Sequence, residues 1–314
     1  MSRRNKYVGG RIISLTLYGL KLPEIKPGDS IADIILEAAK EQCKGIEDGD
    51  VILITSKILS KAMNLLIKIH EISPLRKAVK IARKSGWDPR VVQILLDESD
   101  SILLAIPFKK LIDKGIVRLE KIAKDVNKAR KAAQLYPTIF ITLRNGQLWS
   151  DSGLDFSNHP PGICSVPPRD LDNVARDIAL RIKEKSGKEV AVVICDTELF
   201  PFGSLDVARG SYGITPVSRS FGEFDRFGKP KFGGVDHIAH ELCCAAALLM
   251  RQCAEGIPVV IVRGLKYEKS EEGITPYVMD LNRIKSALID IFIHTVKVLG
   301  FKHVLSLIIS FIRS

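Results

Sequence analysis

Four short stretches hold the residue types that phosphate and metal chemistry needs. Thr55-Ser56-Lys57-Ile58-Leu59-Ser60-Lys61 follows an apolar run and reads as a strand end that opens a helix. Lys57 and Lys61 stand four residues apart, so in a helix both ammonium groups share a face. Two cations beside the open N–H groups of a first helical turn suit a phosphate. The segment lacks the glycines of a Walker loop, and lysine pairs of this spacing also occur on plain solvated faces. Trp149-Ser150-Asp151-Ser152-Gly153-Leu154-Asp155-Phe156-Ser157-Asn158 presents Asp151, Asp155 and Asn158 from one loop. Oxygen donors grouped in this way can hold Mg²⁺, and Asp and Asn in a turn also bond their own backbone.

The third stretch is the apolar run Val190-Ala191-Val192-Val193-Ile194, which leads into Cys195-Asp196-Thr197. An unpaired buried carboxylate is costly, and ligands of α/β folds gather beyond the carboxyl ends of strands. Asp196 with Thr197 therefore reads as a metal–phosphate corner, or as an Asp satisfied by capping the next turn. The fourth is Asp236-His237-Ile238-Ala239-His240-Glu241. Its histidines are spaced i, i+3, but the order matches neither H-E-x-x-H nor H-x-x-E-H, so a pair of helix-surface histidines is expected.

The elements that must position these residues are legible from periodicity. Asp29-Ser30 precedes Ile31, Ile34, Ile35 and Ala38 and predicts a side-chain-capped amphipathic helix. Glu47-Asp48-Gly49-Asp50 is a turn before the buried strand Val51–Thr55. Asp88-Pro89 starts a helix carrying Val91, Val92, Ile94 and Leu95. Thr138–Arg144, Asn145-Gly146 and Gln147–Trp149 form a two-residue hairpin signal, since Asn-Gly accepts the positive φ of such a turn. A helix is expected from about Asp170 to Lys185, and a strand over 189–195. A further helix spans Asp236 to about Met250, with Ile238, Leu242, Ala245 and Leu249 on one face, before the buried strand Pro258–Gly264.

The chain of 314 residues is 46% hydrophobic and 26% charged, so it can bury a real core and is not a disordered polyelectrolyte. Its net charge of +11 favours anionic partners. Residues 109–131 hold nine Lys or Arg against three acids and read as a solvated helical insertion, about 109–136 in extent. The six cysteines include no C-x-x-C pair and are expected as reduced, mostly buried thiols. No apolar core follows Met1-Ser2-Arg3-Arg4, and no stretch reaches about 18 uncharged apolar residues, so a cytoplasmic protein is expected. The tail 279–314 is strongly apolar but broken by charges. It predicts a helical pair that packs on the body or a partner, with interfacial membrane docking as the alternative.

More motifs complete the pattern: Tyr18-Gly19-Leu20 with Ile25-Lys26-Pro27-Gly28-Asp29, then Leu96-Asp97-Glu98-Ser99, Gly153–Asn158, Asp196-Thr197, Met250–Pro258 and Val262-Arg263-Gly264. In this order they resemble the coenzyme F420-0:L-glutamate ligase (F420-0 γ-glutamyl ligase) family over most of residues 11–265. The resemblance implies a mixed α/β, γ-glutamyl-ligase-like fold over 1–278 and an intertwined homodimer, to which the basic insertion and the C-terminal helices over 279–314 are extra. It implies a ligase that uses GTP and two Mg²⁺ or Mn²⁺ ions, with K⁺ as a further ion, to add L-glutamate to a deazaflavin coenzyme F420 precursor through an acyl phosphate. Asp155, Asp196, Thr197 and Gln252 would ligate metal, and Asp155, Asp196 and Lys61 would serve catalysis. Tyr18, Gly19, Leu20, Ser56, Lys57, Lys61, Asn158, Met250, Gln252, Glu255, Gly256 and Ile257 would bind the nucleotide. Phosphoryl transfer asks for such a set: cations and metals that hold charge in line rather than covalent help.

One loop departs from the family pattern. Glu198-Leu199-Phe200-Pro201-Phe202-Gly203 replaces a segment that runs through Gly-Arg to a second Arg, and leaves Arg209 as the nearest arginine. Arginine forks are natural clamps for phosphate and carboxylate. Asp225-Arg226-Phe227-Gly228 keeps only part of the family's Asp-x-Tyr-Gly turn. Two alternatives stand beside the ligase: a nucleotide-binding relative that ligates another acid or is inactive, and a basic nucleic-acid or membrane-surface binding protein. Nucleic acid is not expected as a partner of the ligase.

Overall fold

The computed structural model describes residues 14–200, 203–251, 253–278 and 281–313. Met1-Ser2-Arg3-Arg4, the start of the family resemblance at 11–13, Pro201, Phe202 and Gln252 lie outside the described residues. In chain order the first half contains β1 (Thr16–Leu20), α1 (Ile31–Cys43), β2 (Val51–Thr55), α2 (Ser56–Ala62), β3 (Leu66–Lys68), α3 (Arg76–Ser85), α4 (Pro89–Glu98), β4 (Ser101–Ile106), α5 (Phe108–Asp113), α6 (Leu119–Ile122) and α7 (Val126–Leu135). Then follow β5 (Ile139–Arg144), β6 (Gln147–Ser150), β7 (Ile163–Ser165), α8 (Leu171–Ser186), β8 (Ala191–Phe200), β9 (Gly203–Tyr212), α9 (Ile238–Met250), β10 (Val259–Arg263), α10 (Leu281–Leu299) and α11 (Phe301–Arg313).

A mixed five-stranded sheet, ordered β1-β10-β2-β8-β9, forms the frame. Its central strands open on continuous apolar runs because helices cover both faces there. Ile52, Ile54, Val192, Ile194, Val259 and Ile261 face α1 and α8. Val51, Leu53, Ala191, Val193, Val260 and Val262 face α9. Each fully buried Val, Leu or Ile contributes about 1.5–3 kcal/mol relative to exposure. β2 and β8 run parallel in register, Thr55 beside Cys195, so Ser56, which follows β2, emerges beside Asp196 of β8. The Asn-Gly hairpin forms as the sequence predicts, with φ of 50° at Asn145 and 72° at Gly146, and joins β5 to β6 beside β4.

Several expectations need correction. Ser30 occupies the N-cap of α1 but makes no side-chain cap bond, and Asp29 Oδ2 instead accepts from the Lys26 N–H at 2.7 Å. β8 does not end at Cys195. It continues through Asp196 and Thr197 to Phe200, because β9 pairs with it along that whole length. The buried face of α9 is Ala239, Leu242, Cys243, Ala246 and Met250, rotated from the one expected. Cys195 points toward α9 and forms a disulfide with Cys243, with the two Cα atoms 5.6 Å apart, so these two thiols are not reduced. Cys43 and Cys164 are buried free thiols, as expected, whereas Cys253 is exposed. The insertion forms α5, α6 and α7 around a small core of Ile112, Leu119 and Ala133. The tail forms the predicted helical pair, but α10 and α11 pack on each other and make no extended contact with any other element among the described residues.

Candidate active site

The end of β2, the middle of β8, the start of α2 and the loops before β7 and β10 surround a cleft of about 540 Å³. Lys57 and Lys61 reach it from α2, one helical turn apart. Lys57 Nζ pairs with Asp155 Oδ2 at 2.9 Å and donates to Ser157 Oγ at 2.5 Å. Lys61, with only 10% of its side chain exposed, pairs with Glu24. Asp155 is fixed at three points. Its backbone exchanges two hydrogen bonds with Ser165 at the end of β7, its Oδ1 accepts from the Ser157 N–H at 2.8 Å, and Lys57 holds its Oδ2. Asn158, at φ 57°, donates from Nδ2 to the Cys253 carbonyl at 3.2 Å and ties this loop to the one before β10.

Asp196 lies across the cleft on β8. Ser56 Oγ donates to its Oδ2 at 2.5 Å and its own Oδ1 accepts the Thr197 N–H at 2.7 Å. Burial pushes its carboxyl up to about 6. The charges of Asp155 and Glu198 add to that shift, while Arg209 and the Ser56 hydrogen bond oppose it. Thr197 Oγ1 donates to Asp206 Oδ1 at 2.8 Å across the β8–β9 hairpin, where the two residues are register partners.

The register of β8 and β9 slips between Ile194 and Cys195, which leaves Arg209 as the extra residue of a bulge. A bulge re-aims its side chain. Arg209 turns inward, pairs with Glu198, and stacks on Trp149 at 3.8 Å from the ring centroid. Glu198 also accepts from the Ser150 N–H and hydroxyl, so β6 and β8 are locked together below the cleft. The nearest surviving arginine of the sequence analysis is thus buried behind Asp196 and is not among the cleft-lining residues.

Asp151, Ser152 and Gly153 hold three successive positive φ values of 49°, 57° and 75° before Asp155. A Cβ at Gly153 would come within 2.8 Å of the Trp149 ring, so only glycine fits there. Asp151 Oδ1 accepts the Phe140 N–H at 2.8 Å. Burial, reinforced by the Glu198 charge and opposed by that hydrogen bond, pushes its carboxyl up to about 7.

Of the residues singled out from sequence, Ser56, Lys57, Lys61, Asp155, Asn158, Asp196, Thr197, Met250, Glu255, Gly256 and Ile257 line this one cleft. Gln252 falls outside the described residues. Tyr18, Gly19 and Leu20 form part of β1 and do not line the cleft; Leu20 is fully buried core, and the lining begins at Leu22. His237 and His240 stack at 3.7 Å on the far side of β9, away from the cleft. His240 Nδ1 accepts the Ala208 N–H at 2.9 Å, and burial lowers its pKa to about 4, with the neighbouring His237 and Arg209 adding to the shift. Among the described residues no group of three or more His, Cys, Asp or Glu is placed to hold a metal ion unaided. Sequence reasoning missed Glu24 and Asp206, which also line the cleft, as does Arg251 of the loop from Met250 to Ile257 that the family resemblance assigns to the nucleotide. Asp206 becomes legible only once β8 is extended, because it then faces Thr197 on the return strand.

Comparison with known proteins shows the family. The chain matches the F420-0:Gamma-glutamyl ligase family over residues 19–264. It is 32% identical over 269 residues to the coenzyme F420:L-glutamate ligase of Methanothermobacter thermautotrophicus, covering 84% of this chain and 95% of that one. The protein of the same name from Methanopyrus kandleri is 34% identical over 78% of this chain and 84% of its own length. That from Methanosarcina mazei is 34% identical over 79% of this chain and 84% of its own. A family match over residues 19–264 and relatives more than 30% identical over most of both chains place the chain in the F420-0:gamma-glutamyl ligase family of carbon–nitrogen bond-forming enzymes.

Proposed function

We propose that the chain joins L-glutamate to the carboxylate of a deazaflavin precursor of coenzyme F420, with GTP as the phosphoryl donor and Mg²⁺ or Mn²⁺ as the metal. The observation that carries this reading is the convergence of Lys57 and Lys61, Asp155 and Asn158, Asp196 and Thr197, and the loop before β10 on one cleft. The donor set fits such a cation. Two carboxylates and a hydroxyl are too few to cage a metal, but Mg²⁺ usually takes one or two carboxylates and completes its shell with substrate phosphate and water. Asp155 and Asp196 would hold one ion, and Thr197 and Gln252 would serve a second. When bound, the metal neutralises charge on the phosphates.

The chain's own groups do the rest. Lys57, Lys61 and Arg251 offer cations to the phosphates from two sides of the cleft. In the reaction the substrate carboxylate takes the γ-phosphoryl group and GDP leaves. The glutamate amine then attacks the activated carbonyl carbon, phosphate departs with the former carboxylate oxygen, and the nitrogen loses a proton. Lys57 already bridges Asp155 and Ser157, so the metal-binding carboxylate and the phosphate-binding cation are oriented as one unit. A homodimer acting in the cytoplasm is part of the proposal and follows from the family resemblance.

The test is release of GDP from a mixture of deazaflavin substrate, L-glutamate, GTP and Mn²⁺ or Mg²⁺. The Asp196→Ala variant is expected to lose turnover by at least about 100-fold, as removal of a group that stabilises transition-state charge does. Undiminished turnover in that variant would rule out the metal assignment. One observation favours a second reading, a relative that ligates a different acid: Glu198 engages Arg209, so the loop after Thr197 offers the cleft no arginine. GTP binding by calorimetry without glutamate addition to the deazaflavin would support it.

A further inference from the structure

We propose that the α10–α11 hairpin docks in the plane of an anionic lipid surface. The hairpin lies beyond the family match, which ends at residue 264. Its helices pack on each other and bury Val304, while making no extended contact with the rest of the described structure. Leu288, Ile289, Phe292, Ile293, Leu299 and Phe301 are each more than half exposed. Leu288, Phe292 and Leu299 follow the i, i+4, i+11 spacing of one helical stripe, and Ile289 and Ile293 form the adjacent row. Within α10 the band runs from Leu288 to Leu299, about 17 Å of the helix.

Charge decides what covers this band. Residues 281–314 carry five Lys or Arg against one acid, Asp290. A second copy of the same hairpin would bring two surplus positive charges of equal size together. An anionic bilayer offers both an apolar boundary and opposite charge, the combination that holds amphipathic helices at an interface. No helix among the described residues is long and apolar enough to cross a membrane, so the hairpin lies along the surface.

The test is flotation of the full-length protein with vesicles of equal phosphatidylglycerol and phosphatidylcholine, compared with phosphatidylcholine alone. The protein is expected to float with the anionic vesicles only. The doubly substituted Ile289→Glu/Ile293→Glu variant and the triply substituted Lys285→Glu/Lys297→Glu/Lys302→Glu variant should each bind at least tenfold less. Both change only exposed or surface-charged positions, so melting temperature and ligase turnover without vesicles should match the parent. The proposal is overturned if the parent does not float with anionic vesicles, or if either variant floats as well as the parent. It is overturned equally if Ile289→Glu/Ile293→Glu lowers the mass in sedimentation, since a second copy would then own the face.

Discussion

Asp151 shows how one residue links backbone strain to protonation. Its φ of 49° belongs to the left-handed region, which Asn tolerates better than most residues. Its carboxyl is pushed from an ordinary 3.8 up to about 7. A raised acid favours the folded state's proton, so ionisation opposes folding. Below about pH 3.8 both states are protonated and nothing is lost; between that point and about pH 7 the unfolded chain releases its proton and stability falls. Asp151→Asn keeps the Oδ1 acceptor for Phe140 and removes the ionisation. The variant is therefore expected to match the parent near pH 4 and to exceed it at pH 8 by about 2–4 kcal/mol. Denaturant titrations across that range, with a chelator present, measure the difference.

At the scale of elements, polar pairs decide how the apolar strands are pinned. Asp50 immediately precedes β2 and is 1% exposed, and Arg263 at the end of β10 grips both its oxygens at 2.9 and 2.7 Å. The same guanidinium donates to the Gly45 carbonyl at 2.8 Å and lies 5.2 Å from the Tyr18 ring centroid. One side chain thus joins the turn before β2 to both edges of β10. Removing one member of a buried pair leaves the other charge uncompensated, which costs about 3–5 kcal/mol. Arg263→Leu should lose that much stability in denaturant. The double variant Asp50→Asn/Arg263→Leu should recover a large part, because it removes the stranded charge as well. A double variant no more stable than Arg263→Leu would show that the guanidinium acts through Gly45 and Tyr18 instead.

At the scale of the molecule, the sheet carries the cleft on one side and is stapled on the other. The Cys195–Cys243 bond ties β8 to α9 directly behind Asp196 and closes a loop of 48 residues. A cross-link over a loop of that length stabilises by roughly 2–4 kcal/mol in the chain-entropy account. Thermal unfolding of the oxidised protein should therefore give a higher Tm than the same protein after reduction under denaturing conditions and refolding with reductant. Cys243→Ser should melt at the reduced value with or without reductant. An equal Tm in both redox states would remove the staple from the account of stability. The insertion α5–α7 adds nine of the chain's cations without contributing to the cleft lining, so the excess charge of the molecule is not concentrated at its site.

The sequence by itself determined what depends on near neighbours. Val51–Ile54 and Val259–Val262 are continuous apolar runs, Asp88-Pro89 starts α4, and Asn145-Gly146 turns the hairpin, each readable within a few residues. The linear order of Lys57, Asp155 and Asp196 was enough to suggest a site, because each follows or flanks a recognisable element. Tertiary structure alone decided where β8 stops. Asp196 to Phe200 contains too much polarity to read as buried strand, and only the hydrogen bonds of β9 make it one. That pairing then brings Asp206 to Thr197, turns Arg209 inward onto Glu198, and sets Cys195 against α9. The common reason is distance along the chain: a polar residue's partner, unlike its helical or turn propensity, is chosen by whichever segment folds beside it.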